Sequence, residues 1–527
     1  MILVSQIRLP LHWSENDAIM HAKRQLKIQD HEIASAEICK ISVDARKKPP
    51  FLVYTVGIIL KNIQKEALFA GHKNVQVVYP ELMQIPFIGE KQVPPVICGC
   101  GPAGLFAGLV LARAGLRPVI IERGACVQER VQAIEAFEQN GILDEDANIQ
   151  FGEGGAGTFS DGKLTTRIKD PLCAFVTSTL IEHGAPKEIA VKQKPHVGTD
   201  LLRNVIISIR EELLRLGATV HFRTKLTGIT AQNGVLQSIQ TTKGEIPCQK
   251  LILAVGNSAR DTFLMLHKMG LTLTPKPFSV GFRAEHLQSR IEESLYHEAA
   301  GHPALPRGEY QLSHHIGNRC VYSFCMCPGG EVVAATSEQG RVVTNGMSYH
   351  ARDGKNANAA VVVSVSPEDF DNNIEKAISF QRTLEEKAYQ AGGGNYLAPA
   401  ETVQSFLNGE GKLACSSVLP TYARGVTPAH LGELFPQELT KALQIGLQAF
   451  DQKLSGYAGK DAVLTGVETR TSSPIRLLRT EYFENREITG LYPCGEGAGY
   501  AGGIMSAATD GVRVAKALME SYSNQIK

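Results

Sequence analysis

The feature that most constrains this chain is residues 96–122, where the sequence reads as a strand, a glycine-rich turn, a helix and a second strand. The first strand ends at Cys98, and the turn has the spacing Gly99-x-Gly101-x-x-Gly104. In this pattern the first glycine permits a tight turn, the second admits a pyrophosphate and the third lets helix and strand pack closely. The helix N-terminus offers free N–H donors and a positive dipole end to phosphates.

An acidic residue, Glu122, ends the second strand, where a carboxylate accepts hydrogen bonds from ribose hydroxyls. Glycine-rich turns alone are common, but here strand, turn, helix, strand and acid follow in order, as a dinucleotide fingerprint requires. An acid rather than a basic residue suits an unphosphorylated ribose. The sequence therefore predicts FAD or NAD, and not NADP, at this turn.

The overall composition limits the classes of function. A chain of 527 residues holds roughly two or three domains. Its net charge of +1, with 20% charged residues, predicts no general attraction to nucleic acid or membranes. Eleven cysteines without a regular framework indicate reduced thiols, and the first residues lack a signal-peptide pattern, so we expect a cytoplasmic protein. The longest apolar stretch contains glycines and Arg113, so no membrane span is expected.

Two pairs of cysteines are separated by a single residue, Cys98 with Cys100 and Cys325 with Cys327. Neither pair has the C-x-x-C spacing of a thiol redox pair or a zinc knuckle. We interpret both as packing sulfurs. The histidines between residues 286 and 350 include no pair at metal-ligand spacing with a third carboxylate, so no metal site is predicted.

We predict an α/β fold with four segments. Residues 1–92 form a small α+β domain, 93–266 and 462–527 form a Rossmann-like FAD-binding domain split in sequence, and 267–461 form an inserted substrate domain of antiparallel strands and helices. Basic residues between positions 23 and 48 could contact phosphates or a partner. A solvated helix face and hairpin tip is favoured, because no aromatic platform accompanies them, and we expect no nucleic-acid partner.

Two further glycine-rich segments belong to the predicted cofactor site. The first, residues 151–163, is bracketed by Phe151 and Phe159, which is unlike a solvated linker, and its backbone can lie along a flat or anionic ligand. The second, residues 490–503, leads into a C-terminal helix that begins at Ile504. A helix N-terminus at that point stabilises an anionic ligand.

Together with the first turn, the Ala254-Val-Gly256 turn and the Gly495-Glu-Gly-Ala-Gly499 motif resemble flavoproteins of the glutathione-reductase-type-2 superfamily. The segments 44–48, 153–163, 194–200 and 466–474 are similar to a bacterial family of uncharacterised FAD-dependent (NAD/FAD-utilising) dehydrogenases. The resemblance covers nearly the whole chain. It implies FAD as cofactor and oxidoreductase chemistry, and it supplies no substrate.

The resemblance also implies a set of cofactor contacts. Those at the pyrophosphate are Gly99, Cys100, Gly101, Pro102, Ala103 and Gly104. Those at the adenosine, the phosphates and the strand beneath the cofactor are Glu122, Arg123, Arg130, Leu226, Ala254 and Gly256. Those at the inner portion of the flavin are Gly155, Ala156, Gly157, Thr158, Ser160 and Lys163. Those at the ribityl chain and the pyrimidine edge are Gly495, Glu496, Gly502, Gly503 and Ile504.

The predicted activity is hydride transfer between FAD and a small organic substrate. One alternative is a hydroxylase that uses oxygen and NAD(P)H, which would bind transiently because no second G-x-G-x-x-G occurs. The other is a flavin-bound sensor or RNA-associated module. No C-x-x-C iron–sulfur pattern is present, which argues against a quinone-linked dehydrogenase. The direction of the reaction, the electron partner and the oligomeric state are left open.

The candidate catalytic residues are Arg470, Lys163 and Glu468. If the segment around Arg470 is extended, Glu468 and Arg470 project to one face and Thr469 to the other. Arg470 could then clamp a substrate carboxylate or steady the charge of reduced flavin. The competing interpretation is a structural Glu468–Arg470 ion pair, since such pairs resemble active sites.

Overall fold

The computed structural model describes residues 1–79 and 83–523. The N-terminal elements are β1 (Ile2–Pro10), α1 (Glu15–Leu26), β2 (Ile33–Asp44), β3 (Phe51–Leu60) and β4 (Val75–Val77). They form an antiparallel sheet in the order β2-β3-β1-β4, as the alternating apolar pattern predicts. Helix α1 begins at a capping box made by Ser14 and Asp17, and its Ala18, Ala22 and Leu26 are buried.

The next segment contains the first part of the nucleotide fold. Its elements are β5 (Val96–Cys98), α2 (Pro102–Arg113), β6 (Val119–Ile121), α3 (Val127–Asn140), α4 (Leu172–Glu182), α5 (Thr199–Arg215), β7 (Thr219–His221), β8 (Leu226–Gln232), β9 (Val235–Thr241), β10 (Gly244–Pro247), β11 (Leu251–Leu253) and α6 (Arg260–Lys268). Strands β8 to β10 make a small antiparallel sheet of their own.

The inserted segment follows. Its elements are β12 (Leu273–Pro275), β13 (Phe278–Leu287), α7 (Gln288–Tyr296), β14 (Ser313–Ile316), β15 (Arg319–Cys327), β16 (Glu331–Ala334), β17 (Thr344–Met347), β18 (Asn356–Val365), α8 (Ile374–Ala391), β19 (Ala398–Thr402), α9 (Val403–Asn408), β20 (Val426–Pro428), α10 (Gln437–Lys453), β21 (Val463–Glu468) and β22 (Ile475–Leu477). Seven strands form one sheet, in the order β14-β15-β18-β13-β21-β19-β20. The central strands β13 and β18 are buried along almost their whole length.

The chain returns to the nucleotide fold with β23 (Leu491–Pro493) and α11 (Ile504–Ser523). The resulting five-stranded sheet has the order β23-β11-β5-β6-β7, and its paired strands are parallel. Because β5 and β6 are joined through α2, this is the Rossmann-like α/β architecture predicted from the first glycine turn. Helix α11 packs along α2 and closes that face of the sheet.

The return from the inserted sheet lies later in the chain than the predicted boundary at residue 462. Strand β21, residues 463–468, pairs with β13 and β19 and so still belongs to the seven-stranded sheet. All of its residues are buried, so its apolar side chains complete the core of the inserted sheet. The crossing comes after it, where β22 pairs with β12.

The N-terminal sheet contacts the nucleotide fold through its backbone. At the edge strand β2, the N–H of Ile41 donates to the carbonyl of Val191 (2.8 Å), and the N–H of Gln193 donates to the carbonyl of Ile41 (2.9 Å). Farther along, the N–H groups of Ile88 and Gly89 donate to the carbonyl of Ala114 at the end of α2 (2.8 and 3.1 Å). Residues 88 and 89 lie before the predicted domain boundary at residue 92, but they are hydrogen-bonded to the nucleotide fold.

Within residues 1–79 and 83–523, no helix combines the length and the apolar character that crossing a bilayer requires.

Candidate flavin site

The first glycine turn has the shape that its spacing predicts. Gly99 has φ of 107°, and a Cβ there would lie 2.3 Å from the carbonyl oxygen of Ala254. A Cβ at Gly104 would lie 1.9 Å from the carbonyl oxygen of Gly99. Both positions therefore require glycine, and the second brings the first turn of α2 against β5. Pro102 begins α2, where its missing N–H costs no helical hydrogen bond.

Glu122, predicted to lie at the adenosine ribose, is held by three backbone N–H groups. Its carboxylate accepts hydrogen bonds from the N–H groups of Cys100 (2.8 Å), Gly124 (2.9 Å) and Gly152 (3.1 Å). Each carboxylate oxygen can accept about two bonds, so capacity remains for ribose hydroxyls. Glu122 lines a narrow cleft beside the first glycine turn. The other lining residues are Cys98, Gly99, Arg123, Thr224, Leu226, Val255 and Thr262.

The second glycine-rich loop lies against the first. The N–H of Gly154 donates to the carbonyl of Cys100 (2.7 Å), and a Cβ at Gly155 would lie 3.0 Å from the Cα of Gly101. A Cβ at Gly157 would lie 2.8 Å from Cγ1 of Ile504, the first residue of α11. The structure thus brings residues 99–104 and 151–163 together with the start of α11, which lies more than 300 residues later in the chain.

The closing glycine turn is fixed by carboxylates. Asp510 accepts from the N–H of Gly495 (2.8 Å). Glu496 accepts from the side chain of Asn257 (2.7 Å) and from the N–H of Gly503 (3.1 Å). Burial raises the pKa of Glu496, and these two hydrogen bonds oppose the rise. Glu496 therefore joins this turn both to the strand turn after β11 and to the start of α11.

Open space lies above these turns. A Cβ at Gly256, Gly502 or Gly503 would meet no protein atom within 4 Å. Two helix N-termini border the site, those of α2 and α11, and each favours negative charge. Together with the Glu122 carboxylate they provide the donors, acceptor and room that FAD requires, so the residues present fit this cofactor.

The two predicted arginines are occupied by protein groups. Arg130 is completely buried and donates to the carbonyls of Asn148 (2.7 Å), Ile149 (2.8 Å) and Glu153 (2.7 Å). It therefore holds the second loop in place. Arg123 binds the carboxylate of Asp261 at 2.9 Å. Its guanidinium also lies over the ring of Phe151, and Arg123 lines the same cleft as Glu122.

The predicted alternation of side chains between the two faces of an extended segment does not include Arg470, because β21 ends before it. Strand β21 stops at Glu468, and beyond it both Thr469 and Arg470 contact the carboxylate of Glu385, at 2.6 and 3.2 Å. Glu468 instead binds Arg283 at 3.1 Å. The alternative Glu468–Arg470 pair is therefore not formed, because each residue has its own buried partner.

These two buried carboxylates differ in their electrostatics. Burial raises the pKa of Glu468 to about 7, although Arg283 opposes the rise. Burial also disfavours the charge of Glu385, but Arg260 and Arg470 outweigh it and hold the pKa of Glu385 well below its usual range. Glu385 is thus a fixed anion at neutral pH, whereas Glu468 is close to its midpoint.

Lys163 links the second glycine loop to the inserted sheet. Its ammonium donates to the carbonyl of Met326 in β15 and lies 3.5 Å from Glu309 and 3.8 Å from Asp161. Arg352 binds both of these carboxylates as well. The two carboxylates therefore partly neutralise the charge of Lys163. Its side chain connects the second glycine loop to β15 of the seven-stranded sheet.

Sequence reasoning missed Lys276 and Asn257. Lys276 follows β12, its N–H donates to the carbonyl of Pro474 (2.8 Å), and it forms no salt bridge within the described part of the chain. Burial lowers its pKa, Arg476 lowers it further and Glu496 opposes both. The pairing of β12 with β22, which no local pattern predicts, places Lys276 beside Pro474. The flanking prolines at 275 and 277 are the only local signal.

Comparison with known proteins identifies two matching regions. Residues 277–471 match the family described as "FAD-dependent protein, C-terminal domain-like". Residues 1–59 match a domain of unknown function, DUF8436. The first region contains the seven-stranded sheet described above.

Relatives and solved structures extend this comparison. The chain is 45% identical over 529 residues to an uncharacterised protein of Clostridium beijerinckii, covering 99% of each. A mutant of the halogenase PltM in complex with FAD is 11% identical with a TM-score of 0.37, covering 82% of this chain and 71% of that one. The L-amino acid deaminase from Proteus vulgaris is 12% identical with a TM-score of 0.32, covering 85% and 96%.

The relative in Clostridium beijerinckii is aligned along almost its whole length, and the match at residues 277–471 is to an FAD-dependent family. The glycine turns, Glu122 and the open space above α11 fit the same cofactor. The chain therefore belongs to the bacterial family of FAD-dependent proteins that includes this relative, and its cofactor is FAD.

Proposed function

We propose that this protein is an oxidoreductase that transfers hydride between FAD and a small organic substrate. FAD, when bound, supplies the hydride acceptor or donor. The substrate would lie between the glycine turns and the inserted sheet.

The observation that carries this proposal is the path of the chain as it leaves the inserted sheet. The carbonyl of Arg470 accepts from Asn257 (3.5 Å), and the hydroxyl of Ser473 donates to the carbonyl of Gly497 (3.0 Å). The segment after β21 therefore packs directly on the closing glycine turn. A substrate held by the inserted sheet at this point would be next to the flavin-binding turns.

We assign the cationic role at this site to Lys276 rather than to Arg470 or Lys163. Arg470 is 5% exposed and bound to Glu385, and Lys163 contacts two carboxylates. Lys276 forms no salt bridge with any described residue and lies in the field of Glu496. Such a cation stabilises either the negative charge of reduced flavin or a substrate carboxylate.

The test is an anaerobic screen of organic acids, amines, alcohols and NAD(P)H for bleaching of the bound flavin. We expect one class of organic compound to bleach it, and Lys276→Met to slow that reduction at least about tenfold while FAD stays bound. Lys268→Met, at an exposed position on α6, is the matched control and should react like the wild type.

Two results would change this assignment. Oxygen consumption that requires both NAD(P)H and an organic compound would identify a hydroxylase. A flavin that neither organic compounds nor NAD(P)H reduce would overturn the oxidoreductase proposal.

A further inference from the structure

We propose that Cys325 and Cys327 form a redox-active dithiol that exchanges two electrons with the bound FAD. This goes beyond the proposed hydride transfer to an organic substrate, and it replaces the interpretation of this pair as packing sulfurs.

The two cysteines lie at an irregularity of β15. The pairing of β15 with β18 changes register between Phe324 and Cys327, and Cys325 has φ of 45°. Bulges of this kind re-aim side chains and recur next to active sites. Cys325 is partly exposed, whereas Cys327 is completely buried. Cys325 is therefore the more accessible of the two residues.

Two cations hold this bulge. Arg283, with no exposed surface, donates to the carbonyl of Cys325 (2.8 Å) and to the sulfur of Cys327 (3.4 Å). Lys163 donates to the carbonyl of Met326, between the two cysteines. Arg283 also binds Glu468 (3.1 Å), but its second amino group places positive charge at the sulfur of Cys327 and the carbonyl of Cys325. With the ammonium of Lys163 beside it, this environment favours one thiolate shared by the pair.

The charged groups around Cys325 come from β13, β15, β21 and the second glycine loop; the one on β21 is Glu468, whose pKa the charge of Cys325 raises. A hydrogen bond with Cys327 lowers the pKa of Cys325 to about 6, burial opposes this, Arg283 and Lys163 lower it further and Asp161 raises it. The same hydrogen bond raises the pKa of Cys327. At neutral pH the pair is therefore one thiolate and one thiol, the state from which a disulfide forms.

The bulge is bonded to a segment of the predicted flavin site. Lys163, the last residue of the second glycine loop, donates to the carbonyl of Met326, which lies between the two cysteines. The charge of Cys325 also adds to the raised pKa of Glu496 in the closing glycine turn, of which burial is the main cause. The dithiol therefore lies next to the second loop, a segment that would hold FAD.

The exchange balances without a further reagent. The thiolate of Cys325 and the thiol of Cys327 give up two electrons and one proton, the S–H bond of Cys327 breaks, and one S–S bond forms. Oxidised FAD takes the two electrons and the proton and becomes the reduced anion. The reverse reaction returns the thiolate and the thiol.

The first test is alkylation of the apoprotein with iodoacetamide, read residue by residue with mass spectrometry. Cys325 should be labelled with a midpoint near pH 6, while Cys98, whose pKa burial raises to about 12, stays unlabelled below pH 9. A Cys325 midpoint above pH 8 would overturn the proposal, because the sulfur would then be an ordinary thiol.

The second test counts electrons. The FAD-loaded protein is oxidised with diamide, freed of the reagent and titrated anaerobically with dithionite. The wild type and the control Cys320→Ser should take up about four electrons per flavin, and Cys325→Ser and Cys327→Ser about two. Uptake of two electrons by the wild type would contradict the proposal whether or not an organic substrate for the flavin is found.

Discussion

The guanidinium of Arg470 lies 3.2 Å from the carboxylate of Glu385, and both side chains are almost completely buried. Arg470 comes just after the inserted sheet, and Glu385 lies on α8. Arg260 of the nucleotide fold binds the same carboxylate. One buried anion therefore joins the end of β21, helix α8 and helix α6 at the flavin side of the inserted sheet.

The Glu385 cluster predicts a loss of stability on substitution. Glu385→Gln leaves Arg470 buried without its ion-pair partner and Arg260 with Glu338 as its remaining carboxylate, and removing one partner of a buried pair costs about 3–5 kcal/mol. Denaturant unfolding of the FAD-loaded protein measures this cost. Glu386→Gln, the next residue on α8 and exposed, is the control and should change the unfolding free energy by less than about 0.5 kcal/mol.

The same cluster predicts an acid dependence. The folded pKa of Glu385 is depressed, so its stabilisation is complete above the unfolded value of 4.5 and decreases as the pH falls below about 5. Unfolding free energies measured from pH 7 to pH 3 should fall less steeply for Glu385→Gln than for the wild type. Equal slopes would show that the carboxylate is not held as an anion.

For Glu468 we expect the opposite dependence of the unfolding free energy on pH. Burial raises its folded pKa to about 7, so its contribution to stability is fully present below pH 4.5 and is lost as the pH rises to about 7. Glu468→Gln should remove this decline. The measurement is the unfolding free energy of both proteins at intervals between pH 4.5 and pH 8, and a decline that persists in the variant would exclude Glu468 as its source.

Two substitutions in the first glycine turn should have different effects, one on FAD binding and the other on folding. A Cβ at Gly101 would meet only the Cα of Gly155, at 3.7 Å, which is ordinary contact. Gly101→Val should therefore fold but bind FAD at least about tenfold more weakly, or about 1.4 kcal/mol, since its side chain occupies the pyrophosphate position. Gly104→Val should fail to fold, because its Cβ meets the Gly99 carbonyl at 1.9 Å.

Calorimetric titration of the apoprotein with FAD, together with circular dichroism, separates these outcomes. A Gly101→Val protein that binds FAD as the wild type does would mean that this turn does not hold the pyrophosphate.

Two truncations of the N-terminal segment should differ in their unfolding temperature. A chain that begins at Val93 loses the two hydrogen bonds from Ile88 and Gly89 to the end of α2, each worth about 1 kcal/mol. A chain that begins at Met83 keeps them. Both should bind FAD, since the glycine turns follow, but the shorter chain should unfold at a lower temperature. A colourless protein from both truncations would show that the N-terminal sheet is needed for the flavin site.

The sequence predicted those parts of the site that local spacing determines. The turn at Gly99, the acid at Glu122 and the start of α11 depend on residues close together in the chain, so periodicity and glycine spacing revealed them. The partner of Glu468 could not be found this way, because Arg283 lies 185 residues away and meets it only through the pairing of β13 with β21. The contact of Lys163 with β15 was hidden for the same reason.

The side chains of Glu468 and Arg470 show where periodicity fails. Two-residue alternation holds only while a strand lasts, and β21 ends at Glu468. The roles of Arg470, Lys163 and Glu468 in catalysis stay predictions.

The backbone hydrogen bonds between Ile41 and residues 191 and 193 have a consequence for how the N-terminal sheet tolerates mutation. An uncovered strand edge invites a foreign strand, and here the protein's own loop occupies that position. Because main-chain groups make the contact, Ile41 can change to other residues without loss of the join. Proline alone would delete its donor, and so the attachment of this sheet is specified by chain geometry more than by side-chain identity.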